Sequence, residues 1–155
     1  MVVYTFRLST NTHLTPLYYK TTSPPLQDLM DRALLTMFAT EAQKLGVRGI
    51  TIVVASGDDG ANSFRARSNK TACGLSPSFP ASCPFVTSVG ATQGPANYQS
   101  ESAETSDKGG IITSGGGFSD FWPAEAWQKA AVATYLSTVS PAPTGPFNKT
   151  NRGYV

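Results

Sequence analysis

Two adjacent carboxylates, Asp58 and Asp59, stand at the end of a short run of apolar and β-branched residues. The run covers residues 50–55 and lacks polar alternation, which is typical of a strand that is buried on both faces of a parallel sheet. In open α/β sheets, functional groups gather at the carboxyl ends of the strands. Gly57 and Gly60 flank the acids and allow a tight turn. Functional carboxylates are one interpretation, but Asp is also a common residue of ordinary turns and helix caps, and the strand end alone favours the turn interpretation while leaving both open.

The other residues with chemical potential do not form a familiar catalytic motif. His13 is the single histidine of the sequence and has no obvious acid to orient it, so a Ser-His-Asp triad is not indicated. The glycine block at 115–117 does not form G-x-G-x-x-G, no G-x-x-x-x-G-K follows a strand, and G-x-S-x-G is absent from the sequence. Nucleotide-binding loops and an α/β-hydrolase nucleophile are therefore unsupported.

The two cysteines, Cys73 and Cys83, are close in the sequence. No neighbouring residues supply the remaining ligands of a metal site, so metal binding is not expected there. Two alternatives stay open. Either the cysteines form a local disulfide in an oxidising compartment, which would stabilise the fold by roughly 2–3 kcal/mol, or they are two buried free thiols.

The tripeptide Asn-Lys-Thr occurs at 69–71 and again at 148–150, and it matches the acceptor pattern for N-glycosylation. It would permit modification of Asn69 and Asn148 in a secretory compartment. The first residues of the chain show neither the basic start nor the continuous apolar core of a signal peptide. No apolar stretch approaches the ~20 residues that a membrane span requires.

The overall composition limits the partners that can be expected. With 155 residues, the chain has the length of one domain. Its formal net charge is +2, 14% of its residues are charged, and it contains no run of Lys or Arg. Nucleic acid and anionic membrane surfaces are therefore not expected as partners.

Apolar spacing predicts the elements that position the acids. Ser23 and two prolines precede apolar residues at three- and four-residue steps, which predicts an amphipathic helix over 26–45 that stops at Gly46. The order of helix, turn and central strand indicates half of a βαβ unit in an α/β fold. Residues 1–22 have no clear period and are expected to be irregular. The other predicted features are a strand at 85–92, a short strand at 111–113, a helix from Pro123 capped by Asp120 with Trp127 and Tyr135 facing inward, and a loop from 141.

Three blocks of the sequence, taken together, resemble one peptidase family. They are GITIVVASGDDG at 49–60, FPASCPFVTSVGAT at 79–92 and SGGGFS at 114–119. Their order and spacing are similar to those of the sedolisin family of serine-carboxyl peptidases over most of the chain. The resemblance implies an α/β fold with a subtilisin-like parallel sheet flanked by helices, incomplete in this chain. It assigns residues 23–155 to a partial catalytic domain and leaves 1–22 as an extension unlike the family.

The resemblance also implies roles for particular residues. Members of the family cut peptide bonds at acidic pH with a Ser nucleophile, a Glu general base and an Asp that orients the Glu. A further Asp donates a hydrogen bond to the oxyanion, and by position it corresponds to Asp58. A carboxylate cannot donate, so Asp58 would have to be protonated in a working enzyme. Asp59 is expected to shape the turn.

Other parts of the family's machinery do not occur in this sequence. It contains neither Glu-x-x-x-Asp nor Gly-Thr-Ser, and the calcium ligands of the complete family domain are expected outside the chain, so no cofactor is expected within it. Because base and nucleophile act as a unit, the chain alone is expected to be inactive. Peptides or proteins are the implied substrates of the complete enzyme, and a secreted or lysosomal/vacuolar location is implied. The alternatives are a non-catalytic fragment that binds peptides and an unrelated α/β binding module.

Overall fold

The computed structural model describes residues 3–10, 13–20, 27, 30–62, 64–72, 74–94 and 100–155. Short 3₁₀ helices lie at Phe64–Arg67, Lys70–Ala72 and Ser106–Lys108. The other elements follow in chain order: β1 Val3–Thr10, β2 His13–Lys20, α1 Arg32–Val47, β3 Val53–Ala55, β4 Thr87–Val89, β5 Thr92–Gln93, β6 Ser102–Ala103, β7 Gly117–Pro123, α2 Lys129–Thr138 and β8 Asn151–Tyr154.

The N-terminal segment is a pair of strands. β1 and β2 pair antiparallel from Val3 opposite Lys20 to Thr10 opposite His13, and β1 lies alongside β3. The expectation of an irregular segment over 1–22 is therefore wrong for these strands, although other residues of that range lie outside the description. The physical reason is that Val, Tyr, Thr and Phe favour strands, and pairing with a second strand does not require a period that is visible in either strand alone.

Helix α1 is confirmed, but it starts at Arg32 rather than at the predicted residue 26. The carboxylate of Asp31 caps it by accepting a hydrogen bond from the backbone N–H of Ala33 at 2.8 Å. Gln27 makes a tertiary contact instead: its backbone N–H donates to the carbonyl of Pro77 at 2.9 Å. Gln27 therefore lies outside the helix.

The other end of α1 also differs from the prediction. The helix passes through Gly46 and ends at Val47, and Gly49 follows with a left-handed φ of 76°. The chain therefore reverses at Gly49, where a side chain would be strained. The inward face of the helix joins the core through Leu35, Ala39 and Ala42.

The centre of the fold is a parallel strand pair. Val53 lies opposite Thr87 and Ala55 lies opposite Val89, so β3 and β4 run in the same direction. The predicted α/β class with an incomplete parallel sheet is confirmed, although both strands are shorter than expected. The cluster of buried residues that joins the helix to the strand pair comprises Leu35, Ala39, Ala42, Ile52, Val54, Phe79, Ala81, Cys83, Val86, Trp122 and Tyr154.

The C-terminal part departs most from the sequence-based expectation. The predicted helix from Pro123 and the predicted loop from 141 are wrong in part, because Gly117–Pro123 forms β7 and pairs antiparallel with β8. The helix begins later, at Lys129. Trp127 and Tyr135 do not face inward, since they are 69% and 48% exposed.

Candidate functional site

The turn that carries the two acids is held by backbone hydrogen bonds to the segment before β7. We call residues 57–60 the strand-end loop and residues 113–116 the glycine strand. Four backbone bonds between described residues join them: Gly115 N–H to Gly57 O at 2.8 Å, Thr113 N–H to Asp58 O at 3.0 Å, Gly60 N–H to Thr113 O at 3.0 Å, and Gly116 N–H to Gly60 O at 3.2 Å. The predicted strand at 111–113 is thus reduced to an isolated parallel bridge between Thr113 and Asp59. The backbone of Asp58 is fixed by these contacts.

Glycine is required where the two segments meet. A Cβ atom on Gly115 would lie 2.3 Å from the carbonyl oxygen of Ser56 and 2.8 Å from the backbone nitrogen of Gly57. Both contacts are with backbone atoms, which cannot rotate away. Gly57 and Gly60 have left-handed φ values of 113° and 62°, as the tight turn predicted from the sequence requires. Gly115 therefore allows close packing against Ser56 and the strand-end loop.

The side chain of Asp58 reaches the surface. It is 30% exposed, and its Oδ2 lies 4.0 Å from Nη2 of Arg67. Its accessible carboxyl and its fixed backbone are compatible with the oxyanion role that the resemblance implies, but that role stays a prediction.

Asp59 has a different environment from its neighbour. Arg67 donates to it through two nitrogens, from Nε to Oδ1 at 2.5 Å and from Nη2 to Oδ2 at 2.9 Å. The hydrogen bond to Asp59 raises the pKa of Arg67, and the negative charge of Asp59 is neutralised by this pair. Asp59 thus holds the loop that contains Arg67 against the strand end, in addition to shaping the turn.

Arg67 is the residue of the site that the sequence interpretation missed. It stands at the end of the 3₁₀ helix Phe64–Arg67, inside a polar loop that shows no periodic pattern. Asp59 lies in the turn after β3 and Arg67 lies in a 3₁₀ helix, so the two residues share no helix or strand whose repeat could have paired them.

An apolar cavity of about 470 Å³ adjoins the strand-end loop. It extends from the loop to helix α2, and the side chain of Gln128 contributes an amide whose Oε1 is buried without a hydrogen-bond partner among the described residues. Its walls include Gly60, Gly116, Phe118, Val132, Tyr135 and Tyr154. The cavity has the size and the apolar walls to receive an apolar group.

The other residues that the sequence predicts as sites are the two cysteines and the two asparagines of the Asn-Lys-Thr tripeptides. None of them belongs to the strand-end loop. Cys83 is fully buried, and burial raises the pKa of its thiol to about 11, while Cys73 lies outside the described residues. The pairing of these cysteines stays a prediction. Asn69 and Asn148 are both exposed, as modification would require.

The described residues show neither a cluster of metal-binding side chains nor a membrane-spanning helix. They contain no group of three or more His, Cys, Asp or Glu side chains that could hold a metal ion. Among them, no cluster of three carboxylates offers a site for the calcium ion that the resemblance implies for the complete domain. In the same part of the chain, no helix combines the length and the apolar character needed to cross a bilayer.

Known proteins that are similar to this chain are peptidases. Tripeptidyl-peptidase 1 of Macaca fascicularis is 38% identical over 130 residues, which cover 83% of this chain and 22% of the relative. Aorsin of Aspergillus oryzae is 35% identical, with 74% of this chain and 21% of the relative covered. Among solved structures, Pseudomonas sedolisin, a serine-carboxyl proteinase complexed with two molecules of pseudo-iodotyrostatin, is 26% identical with a TM-score of 0.47. The match covers 70% of this chain and 29% of that one. No protein-family model matches the chain.

The matched part of the chain is similar in sequence to these peptidases. More particularly, its matched part is a sedolisin-family sequence, as the three blocks indicated. The chain spans about a fifth of the length of the curated relatives that it matches.

Proposed function

We propose that this chain is part of the catalytic domain of a serine-carboxyl peptidase, in which the protonated carboxyl of Asp58 donates a hydrogen bond to the oxyanion. The observation that carries the proposal is the geometry of Asp58. Its backbone is held by the glycine strand at the end of β3, while its side chain remains accessible. The similarity to tripeptidyl-peptidases supports peptides or proteins as the substrates of the complete enzyme. The family resemblance supports a secreted or lysosomal/vacuolar location.

Cleavage of a peptide bond requires a hydrogen-bond donor that points at the developing negative charge. When a nucleophile attacks a peptide carbonyl, the oxygen becomes an oxyanion, and one donor typically contributes a factor of about 10²–10³ to the rate. The carboxylic acid form of Asp58 carries the needed O–H, which its carboxylate form lacks. Arg67 is bonded to Asp59, and the same guanidinium lies 4.0 Å from Oδ2 of Asp58. An acidic working pH would supply the protonated form.

The Ser nucleophile and the Glu/Asp base pair are not assigned to residues of this sequence, since the Gly-Thr-Ser and Glu-x-x-x-Asp motifs are absent from it. Calcium ligands are likewise placed outside it. We expect the purified chain alone to show no turnover of fluorogenic peptides between pH 3 and 6. Turnover that is abolished by Asp58→Ala would contradict the assignment of nucleophile and base to other residues.

The oxyanion role is tested in the longest polypeptide that the native transcript encodes. If the transcript adds Glu-x-x-x-Asp before and Gly-Thr-Ser after the present sequence, the product should cut peptides. Asp58→Ala should then lower kcat by about 10²–10³. Asp58→Asn, which keeps a donor at every pH, should retain more activity and a flatter acidic profile. Asp59→Asn is the matched control, and a loss at Asp59 that equals the loss at Asp58 would refute the assignment.

A second candidate function is peptide binding without catalysis. It is favoured by the apolar cavity of about 470 Å³ beside the strand-end loop in a chain that lacks the nucleophile motif. Peptides with and without an aromatic side chain, titrated against the chain, would test it. Binding that weakens in a cavity variant such as Val132→Trp, but not in the exposed-surface control Lys44→Ala, would support this function.

A further inference from the structure

Residues 140–147 form a proline-rich segment, which we call the strap, that is tied to the fold at both ends. It contains three prolines and neither a helix nor a strand. On one side of it, the N–H of Val139 donates to the carbonyl of Tyr135 at 2.9 Å, and on the other the N–H of Asn151 donates to the carbonyl of Asn148 at 3.1 Å. Between these ends, no backbone hydrogen bond joins the strap to another part of the described chain. Side-chain contacts therefore hold it in place.

The main contact of the strap is a pair of phenylalanine rings. The ring of Phe147 lies against the ring of Phe118, with centroids 5.0 Å apart and an angle of 23° between the ring planes. This spacing is typical of stacked aromatic side chains. Phe147 and Pro143 are the half-buried members of the strap, while its other residues are exposed. Phe147 is therefore the anchor of the strap.

The strap borders two adjoining apolar cavities. Their volumes are about 70 Å³ and 560 Å³, and Phe118, Phe147 and Leu75 line both. The strap also touches Leu75 at Gly145, where a Cβ atom would lie 3.1 Å from Cδ1 of Leu75. Leu75 is 40% exposed even with the strap in place. Without the strap, Phe118 and Leu75 would present a continuous apolar surface to the solvent.

We propose that Phe118 and Leu75 form a binding site for an aromatic side chain of a peptide, and that Phe147 occupies this site in the free protein. The strap is then an autoinhibitory contact, because a peptide can bind only in the molecules whose strap has moved away. Movement of the strap breaks no backbone hydrogen bond within it. The proposal does not depend on the oxyanion role of Asp58.

The chemistry of the strap itself defines the class of ligand. Proline-rich segments dock into aromatic-lined grooves at a low entropic cost, because proline restricts their backbone before they bind. In the strap, proline directly precedes the anchoring Phe147. An extended peptide with proline before an aromatic residue is therefore the expected ligand, and its ring would stack on Phe118 in the place of Phe147.

The test uses the full chain and two fluorescent peptides. The first has the sequence Ala-Pro-Thr-Gly-Pro-Phe-Asn, copied from residues 142–148, and the second has Ala in place of Phe. Fluorescence anisotropy measures the Kd of each. We expect the Phe peptide to bind Phe147→Ala about 2–10-fold more tightly than the unaltered chain, because the competing ring is gone. The control Thr144→Ala, an exposed position of the strap, should bind like the unaltered chain.

Further variants locate the bound peptide. In the Phe147→Ala background, Leu75→Ala and Phe118→Ala should each weaken binding of the Phe peptide by at least about fivefold. Leu75 is partly exposed, so Leu75→Ala keeps the test decisive if Phe118→Ala does not fold. Leu75 does not line the cavity of about 470 Å³, whereas the exposed Ala131 does. Ala131→Trp should therefore leave binding unchanged.

Three results would overturn the proposal: equal affinity for the two peptides, no tighter binding in Phe147→Ala, or binding that Leu75→Ala leaves intact. Binding that weakens in Ala131→Trp but not in Leu75→Ala would place the peptide in the 470 Å³ cavity. That result would overturn the site on Phe118 and support the second candidate function.

Discussion

The strand-end loop and the α2 region, residues 126–138, are held in the molecule by different means. The loop is joined to the glycine strand by backbone hydrogen bonds, and it leaves no room for a Cβ atom on Gly115. Helix α2 has no side-chain hydrogen bond at its N-cap, Gln128, and among its described residues Val132 is the one that is buried. The loop is therefore held by backbone hydrogen bonds, whereas the α2 region is held by side-chain contacts, such as the hydrogen bond from Nε2 of Gln128 to the carbonyl of Gly153 at 2.5 Å.

The largest expected difference in the free energy of unfolding is between substitutions of the two tryptophans. Trp122 is 8% exposed and packs against Phe79 and Phe121, while Trp127 is 69% exposed in the α2 region. Trp122→Ala should lower the free energy of unfolding by about 3–5 kcal/mol, and Trp127→Ala should change it by less than about 0.5 kcal/mol. Urea unfolding followed by circular dichroism measures both. Equal losses would mean that the α2 region is packed as tightly as the core.

The next largest loss of stability is expected at the contact between the glycine strand and the strand-end loop. Gly115→Ala places a methyl group against the backbone of Ser56 and should cost about 3 kcal/mol. Gly74→Ala is the control, because a Cβ atom there meets nothing within 4 Å. The midpoints of urea unfolding should separate the two variants. If they coincide, the close approach at Gly115 does not hold the loop.

The dependence of the free energy of unfolding on pH tests the buried thiol of Cys83 in the core. Burial raises the pKa of Cys83 from 9.0 to about 11. The folded state then keeps its thiol proton more tightly than the unfolded state, so the stabilisation is complete below pH 9. As the pH rises from 9 towards 11, roughly 2–3 kcal/mol should be lost.

The measurement is the free energy of unfolding against pH, under reducing conditions so that the thiol is free to titrate. Cys83→Ala should show a flatter slope between pH 9 and 11. Burial also raises the pKa of Tyr154, so some alkaline destabilisation should remain in that variant. Equal slopes in the two proteins would show that the thiol does not titrate in this range.

The smallest expected effect concerns the ion pair at the rim of the site. Arg67 is 56% exposed, so its pairing with Asp59 is screened by water and should contribute about 0.2–1 kcal/mol. A double-mutant cycle with Arg67→Ala and Asp59→Asn measures this coupling energy. The coupling should fall at high salt. A coupling energy that does not change with salt would indicate that Arg67 acts through packing of the aliphatic part of its side chain.

Sequence reasoning succeeded where the evidence is local. The β-branched run at 50–55 contains β3, the apolar spacing after residue 30 marks α1, and the glycines around the acids mark a turn. The order of the three blocks also indicated the family before any fold was known. Each of these signals lies within a stretch short enough for periodicity or a motif to report it.

Tertiary structure decided the rest. Helix α1 starts at Arg32, while Gln27 bonds instead to the distant Pro77, and residues 117–123 are a strand because β8 pairs with them. The pairing of Asp59 with Arg67 and the fit of Gly115 against Ser56 likewise join segments that share no repeat. By itself, the sequence determined that a strand ends in carboxyls. Only long-range backbone contacts decided how those carboxyls are held, because such contacts follow from packing in three dimensions and leave no periodic trace along the chain.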